Sequence, residues 1–276
     1  MLRAIAGVSH VCLALICAIS LFSRQIEAEE LRYGRLNPFC PFTCDFDESG
    51  QYGVVIDIFR AITAMNGMTY RDVEVPSKRK FTALDSDFSN VTTVWSTNKK
   101  ALASVVPAEE AIVAVRWGTA TRNDLDFMFR TLEDLKNVVL IVSATMDFSQ
   151  EFEDYLQAGE KSGRVILLYG EDVARRGLNL LSRERGDVYL TGMIPLGHRI
   201  KNWGYVGKFN VAHAPYFPTA YVYPSFSKNN PKAQVYADMM TDGIRKLRET
   251  GQLAKILAAY GLTDWADEVQ SSILSD

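Results

Sequence analysis

Few residues of this 276-residue chain are of types and spacings that suggest chemistry. Cys40 and Cys44 bracket the tripeptide Pro41-Phe42-Thr43, a separation that suits either a small disulfide pinning a loop or two thiolate ligands of a metal. No histidine lies near them, which weakens the metal reading and leaves the disulfide. Phe39 precedes the pair and Phe42 lies within it, so a constrained loop would present one of them for stacking over a ligand, with core packing as the alternative. The loop Ala144-Thr145-Met146 stands just ahead of a helical pattern. Its N–H groups and the Thr145 hydroxyl could hold an anion, or Thr145 could be a helix cap. Beyond residues 1–28 the only histidines are His198 and His213, and neither belongs to a catalytic motif. There is no serine nucleophile elbow, no His-rich metal motif and no phosphate-cradling glycine loop. The chemistry on offer is therefore binding rather than catalysis, and no cofactor is implied.

The ends of the chain set the context. Met1-Leu2-Arg3 is a short basic segment, and Ala4 to Phe22 is apolar except for Gly7, Ser9, His10 and Ser20. Ile26-Glu27-Ala28 closes it with a small residue before Glu29. That is the layout of a cleaved secretory signal over residues 1–28, the competing reading being a retained anchor. Ile16 disfavours lipid attachment at Cys17. The 30 basic and 33 acidic side chains fall to 28 and 32 once Arg3, Arg24 and Glu27 leave with that segment, a net charge of −4. A mildly acidic chain without a basic block is a poor partner for nucleic acid. Only Cys40 and Cys44 then remain, in an oxidising compartment where a disulfide persists.

The elements that must position these residues alternate. Leu31–Leu36 reads as a strand, Tyr52–Ile62 leads into a helix stopped at Asn66-Gly67, and Thr69–Val75 is the next strand. Val91–Trp95, Ala101–Val106 and Ala111–Trp117 are further β-branched apolar runs. A second series follows: a helical turn at Leu132–Lys136, a strand at Val138–Val142 and a helix at Asp147–Leu156. Then come a strand at Val165–Tyr169, a helix at Asp172–Arg183 and a strand at Asp187–Thr191. Two such series predict two α/β lobes with largely parallel sheets. The first is expected to comprise residues 29–118 and 222–276 and the second 119–221. The hinge crossings fall near Trp117–Thr121 and Thr219–Pro224, which puts Trp117 where it could line the cleft. Tyr236, Met239, Met240, Ile244 and Leu247 then recur at helical spacing between Pro231 and Gly251, and a shorter helix carries Leu253, Ile256, Leu257 and Tyr260.

The wording of that tail, "GIRKLRETGQLAKILAAYGLTDW", resembles the C-terminal end of family 3 extracellular solute-binding proteins. "NPFCPF" with "GQYGVVIDIFRAI", "VEVPSKRK", "LEDLKNVVLIVSATMDFSQEFEDYL" and "RERGDVYLTG" are similar, in the same order, to further segments of that family. The resemblance implies a two-lobed type II periplasmic-binding-protein fold with two hinge crossings. It also implies a monomer in the periplasm that captures a small polar solute, amino-acid-like or related, and presents it to the permease of an ABC importer or to a sensor. Phe39, Phe42, Arg79, Lys100, Trp117, Thr145 and Asp187 are the ligand-binding candidates it implies. Arg79 stands in the position of a family arginine, Thr145 in the second-lobe anion loop, and Asp187 in the strand whose aspartate meets a ligand amine. The pattern departs at Ser77, where one branch has tryptophan, and at Lys100, where the carboxylate-clamping arginine is expected. Lysine attracts an anion but offers no bidentate fork. Arg79, Arg116 or Arg122 could supply that charge instead. A few relatives of this fold act as dehydratases, for which Asp187 and Lys100 would be the acid–base pair. A partner-binding member that no longer carries solute is the other reading.

Overall fold

A computed structural model describes residues 28–36, 38–44, 51–146, 148–170 and 172–266. The signal segment, and Cys17 with it, lies outside the described residues. Among the described residues no helix is long and apolar enough to cross a membrane.

The described residues form three sheets, two of which, a two-stranded and a four-stranded one linked by a single isolated bridge, make one layer, hereafter the first sheet. In the first, β1 (Glu30–Arg35) pairs in parallel with β2 (Thr69–Glu74), and an isolated Tyr33–Val91 bridge leads on to β3 (Thr92–Trp95). The long β11 (Ala220–Ser227) runs antiparallel to β3, to β4 (Val105–Pro107) and to β5 (Val113–Val115). The second sheet has the order β10 (Phe209–His213), β6 (Trp117–Arg122), β9 (Val188–Gly192), β7 (Leu140–Ser143), β8 (Val165–Leu168). Its β7, β8 and β9 are parallel, joined by α4 (Gln150–Lys161) and α5 (Val173–Ser182). The chain passes from the first sheet to the second at Arg116 and returns through residues 214–219. The two passages are tied by Ala214 N–H, which donates to the Trp117 carbonyl at 3.0 Å, and Met193 N–H, after β9, donates to that of Arg116 at 2.8 Å.

The hydrophobic pattern explains the packing. Helix α1 (Val54–Met65) buries Val54, Val55, Ile56, Ile58, Phe59 and Ile62 against the first sheet. Helix α7 (Ala233–Glu249) adds Tyr236, Ala237, Met240, Ile244 and Leu247, the period foreseen in the tail, with Met239 only partly buried. Its partner α8 (Gln252–Ala259) follows Gly251, whose φ of 70° lets the chain reverse between the two helices. The second sheet is buried on both faces. Trp117, Leu140, Val142, Val188 and Leu190 meet Phe129, Phe152 and Phe217 on one side. Ile141 and Tyr189 meet Leu178, Leu181, Leu196 and Ile200 on the other. Each fully buried side chain of this size contributes about 1.5–3 kcal/mol, so one cluster can hold the first lobe's shape and two the second's.

Several elements differ from expectation. Ala101–Val106 is not a strand: α3 (Lys99–Ser104), capped by Asn98 accepting from Ala101 N–H at 3.0 Å, precedes the short β4. Helix α4 starts at Gln150 with Ser149 as its cap, three residues later than the pattern predicts. Two helices appear where none is foreseen, α2 (Lys80–Asp85) and α6 (Met193–Asn202).

Candidate functional site

The site loop is held chiefly by contacts within the first lobe. Cys40 and Cys44 are disulfide-bonded. Phe39, just ahead of that ring, bridges to Thr43 within it, its N–H donating to the Thr43 carbonyl at 2.6 Å. The loop rests on the start of α1, where no side chain caps the helix. Val54 N–H donates instead to the Pro41 carbonyl at 2.9 Å and Val55 N–H to that of Phe42 at 3.0 Å. Gly53, at φ 111°, permits this seating, because a Cβ there would come 2.5 Å from the Phe42 carbonyl oxygen. These bonds take up two of the donors that a helix start would otherwise offer to an anion. Among the described residues no cluster of His, Cys, Asp and Glu is placed to hold a metal ion.

From this loop a row of aromatic rings runs across the lobe boundary. Phe42 lies 5.9 Å from Phe39, Phe39 6.2 Å from Trp95, and Trp95 5.8 Å from Trp117. Trp117 then meets Phe148 at 4.9 Å and Phe217 at 5.1 Å. The Phe39 ring sits over Gly192, at the carboxyl end of β9, where a Cβ would come 2.9 Å from its Cζ. Arg199, from α6, reaches the same place. Its guanidinium carbon lies 5.6 Å from the Phe39 ring centre, and Nη2 donates to the Pro38 carbonyl at 3.3 Å. Burial pulls the Arg199 pKa down, with the nearby Tyr189 phenol acting in the opposite sense. Ser96 secures Trp95 from below: its N–H donates to the Tyr221 carbonyl at 2.7 Å and its Oγ accepts from Tyr221 N–H at 2.9 Å.

The residues singled out from sequence are divided by this geometry. Phe39 and Trp117 stand at the boundary. Phe42 is 4% exposed and belongs to the first lobe's core, supporting Phe39 from behind. Thr145 follows the carboxyl end of β7, but it is no helix cap: its hydroxyl lies 3.0 Å from that of Ser143 and its N–H points to the same oxygen at 3.4 Å. Arg79 and Lys100 are exposed on the surface of the first lobe, and their side chains make no hydrogen bond or ion pair among the described residues.

Asp187 does not meet an amine at the boundary. It precedes β9, five residues from Gly192 and so about 16 Å away at the other end of the sheet. Its Oδ2 accepts from Val139 N–H at 2.8 Å, and its Oδ1 pairs with Arg122 at 3.3 Å. Arg122, one of the alternative cations, is held there by Asp187, Asp124 and the Gly186 carbonyl. Arg116 is exposed at the first passage between the sheets. Arg199 lies in no motif of the sequence, and Gly192 is only the last residue of the family-like "RERGDVYLTG". Only their place on α6 and at the end of β9 brings them to the boundary.

A separate cavity of about 450 Å³ opens on the first lobe away from these rings, lined by Glu29, Arg32, Asp87, Lys232 and Tyr236 among others. Its charges answer one another, Arg32 with Asp87 and Lys232 with Glu29, both at 2.7 Å.

No protein-family model matches the chain, and no curated protein matches it in sequence. Solved structures do match in shape. One is a histidine kinase sensor domain with similarity to periplasmic binding proteins, at a TM-score of 0.67 and 19% identity, covering 86% of this chain and 99% of that one. Another comes from work on glutathione import via GshT and the cystine ABC importer TcyBC of Streptococcus mutans, at 0.68 and 17%, covering 87% and 99%. A third is an ancestral arginine-binding protein bound to arginine, at 0.66 and 17%, covering 85% and 99%. At these identities the likeness is one of fold, and this chain has the two-lobed α/β fold of the periplasmic binding proteins.

Proposed function

We propose that the protein is a solute receptor of the periplasm. It captures a small polar solute between its lobes and presents it to the membrane permease of an ABC importer. The observation that carries this reading is the aromatic row crossing the boundary from Phe42 to Phe148, with the chain passing twice between the sheets beside it. Two passages between lobes, close together, are where a hinge can act. A solute touching Phe39 on one side and Trp117 on the other favours the shut state by its contacts to both. We take the lobes as expected, residues 29–118 with 222–276 and 119–221 behind a cleaved segment 1–28, but with the crossings moved to Arg116 and residues 214–219, so that Trp117 on β6 belongs to the second lobe and Ala220 on β11 to the first. The protein acts as a monomer, without cofactor and without covalent chemistry. Phe39, Trp117 and Thr145 remain the ligand contacts, and Arg79 and Lys100 are surface charges that could guide an anion inward.

The test is a thermal-shift screen of protein unfolded and refolded to free it of carried-over solute. The panel holds amino acids, amines, organic acids and short peptides. A ligand at a hundred times its Kd contributes about 2.7 kcal/mol, readily seen as a raised midpoint. No shift across the panel would overturn the solute reading. A second reading, a receptor for a membrane sensor, is favoured by the likeness to a histidine kinase sensor domain. It predicts the same solute shift but binding to a sensor's membrane partner rather than to a permease.

A further inference from the structure

Helix α6 carries the second lobe onto the first through groups of the protein itself. Ile194, in its first turn, packs half-buried against the core cluster of the first lobe. Arg199, five residues further along, donates to the Pro38 carbonyl at 3.3 Å and stands over the Phe39 ring. Just ahead of the helix, the Phe39 ring lies so close over Gly192 that a Cβ there would come 2.9 Å from its Cζ. In the other direction Trp95, from the first lobe, packs against the second lobe's cluster around Trp117.

These are finished contacts. Aromatic pairs settle with their centroids about 4.5–7 Å apart. Phe39 and Trp95 stand at 6.2 Å, and Trp95 and Trp117 at 5.8 Å across the boundary. Taking Ile194 and these rings out of water favours closure in its own right. The Arg199 hydrogen bond then fixes where α6 sits against the loop.

We propose that α6 and the Pro38-Phe39 segment form a latch that shuts the lobes on each other without a solute between them. This goes beyond the receptor reading, in which the solute supplies the closing contacts. A receptor that latches itself takes up solute only from its open fraction, and its apparent affinity falls by that fraction. The contacts of α6 thereby set the solute level at which the protein responds.

The test needs no ligand. Small-angle scattering of the protein, unfolded and refolded to free it of solute, is compared with the curve expected of the shut structure. The unaltered protein should match it. Ile194→Asp combined with Arg199→Glu sets one carboxylate against the first lobe's apolar core and another against the Pro38 carbonyl. Both conflicts are relieved when the lobes part. That double variant should have a larger radius of gyration, with circular dichroism checking that it is folded. If it does not fold, Arg199→Ala takes its place, with a change in the same direction expected. A wider molecule for the unaltered refolded protein, or no widening in the variant that folds, overturns the latch. The solute screen is read apart from this result. A protein that is shut without solute and shifts with none of the panel keeps the latch and loses the receptor reading. One that is open without solute and shifts with a ligand keeps the receptor reading and loses the latch.

Discussion

Replacing Asp187 by alanine separates a structural carboxylate from a ligand contact. In the folded chain Asp187 accepts from Val139 N–H at 2.8 Å, ahead of β7, and pairs with Arg122 at 3.3 Å. It therefore clasps the amino ends of two neighbouring parallel strands. Removing it strands the Val139 amide, which costs about 1–2 kcal/mol at a half-buried position. The ion pair adds about 0–1 kcal/mol, since both side chains are roughly a quarter exposed. A total near 2 kcal/mol corresponds to a melting temperature lower by about 4–8 °C for a chain of this length. Asp187→Asn keeps an oxygen for Val139 and loses only the charge, so it should fall by less than about 3 °C. Differential scanning calorimetry with each variant, followed by ligand titration, reads both quantities. The reasoning is refuted if Asp187→Ala melts like the unaltered protein while losing ligand affinity tenfold or more. That result would return Asp187 to the binding site.

Gly192→Val places a branched side chain where a Cβ already comes 2.9 Å from the Phe39 ring, so the lobes should stand further apart. Small-angle scattering should report a larger radius of gyration, and the variant should also lose about 1–3 kcal/mol of stability, because the same Cβ comes 3.3 Å from Pro195 Cδ of its own lobe, which separation does not relieve. Arg248→Ala removes the partner of Asp264 at 2.7 Å and of Glu110 at 3.1 Å, which together hold the tail against the segment before β5. Urea unfolding should show a loss of about 2 kcal/mol, as for hydrogen bonds to charged groups. Burial pushes the Tyr33 phenol up from 10.0 to about 12. The raised value means that its stabilisation is complete below pH 10 and is lost as pH rises toward 12, by about 2.7 kcal/mol. Tyr33→Phe should flatten that alkaline decline, measured by denaturant midpoints between pH 9 and 12.

How much of this was legible in the sequence depends on the range of the interaction. The second lobe's alternation of strands and helices was, because β-branched runs such as Val165–Leu168 and amphipathic runs such as Val173–Ser182 declare themselves locally. Helix α6 was not, since Pro195 and Gly197 read as breakers. In fact Pro195 lies in the first turn, where a missing N–H has no helical acceptor to lose. Asp187 was misplaced although its position in the strand held the answer. It precedes β9, and ligands of open α/β sheets gather outside the carboxyl ends of the strands. Arg199 had no such signal. Nothing in "MIPLGHRIKN" tells which face of the helix meets a loop 160 residues earlier; that is set by how the lobes meet.

The tail that carries most of the family resemblance also has a part in the site, through a single phenol. Tyr260 Oη accepts from Gly53 N–H at 3.1 Å and donates to Asp57 Oδ2 at 2.6 Å. It thereby occupies the head of α1 from one side while the Pro41 and Phe42 carbonyls occupy it from the other. The start of α1 needs no capping side chain because two distant segments supply its partners, and in doing so they fix the disulfide loop between them. Phe39 meets Gly192 and Arg199 only if that loop holds its height above the helix. Tyr260→Phe should thus act at a distance. It removes the acceptor for Gly53 N–H and the donor to Asp57, at about 1–2 kcal/mol of stability. It should also weaken any ligand stacked on Phe39, although Tyr260 itself touches the loop's foundation and not its tip. A Tyr260→Phe protein that loses stability yet binds with unchanged affinity would show that the disulfide alone holds the loop in place.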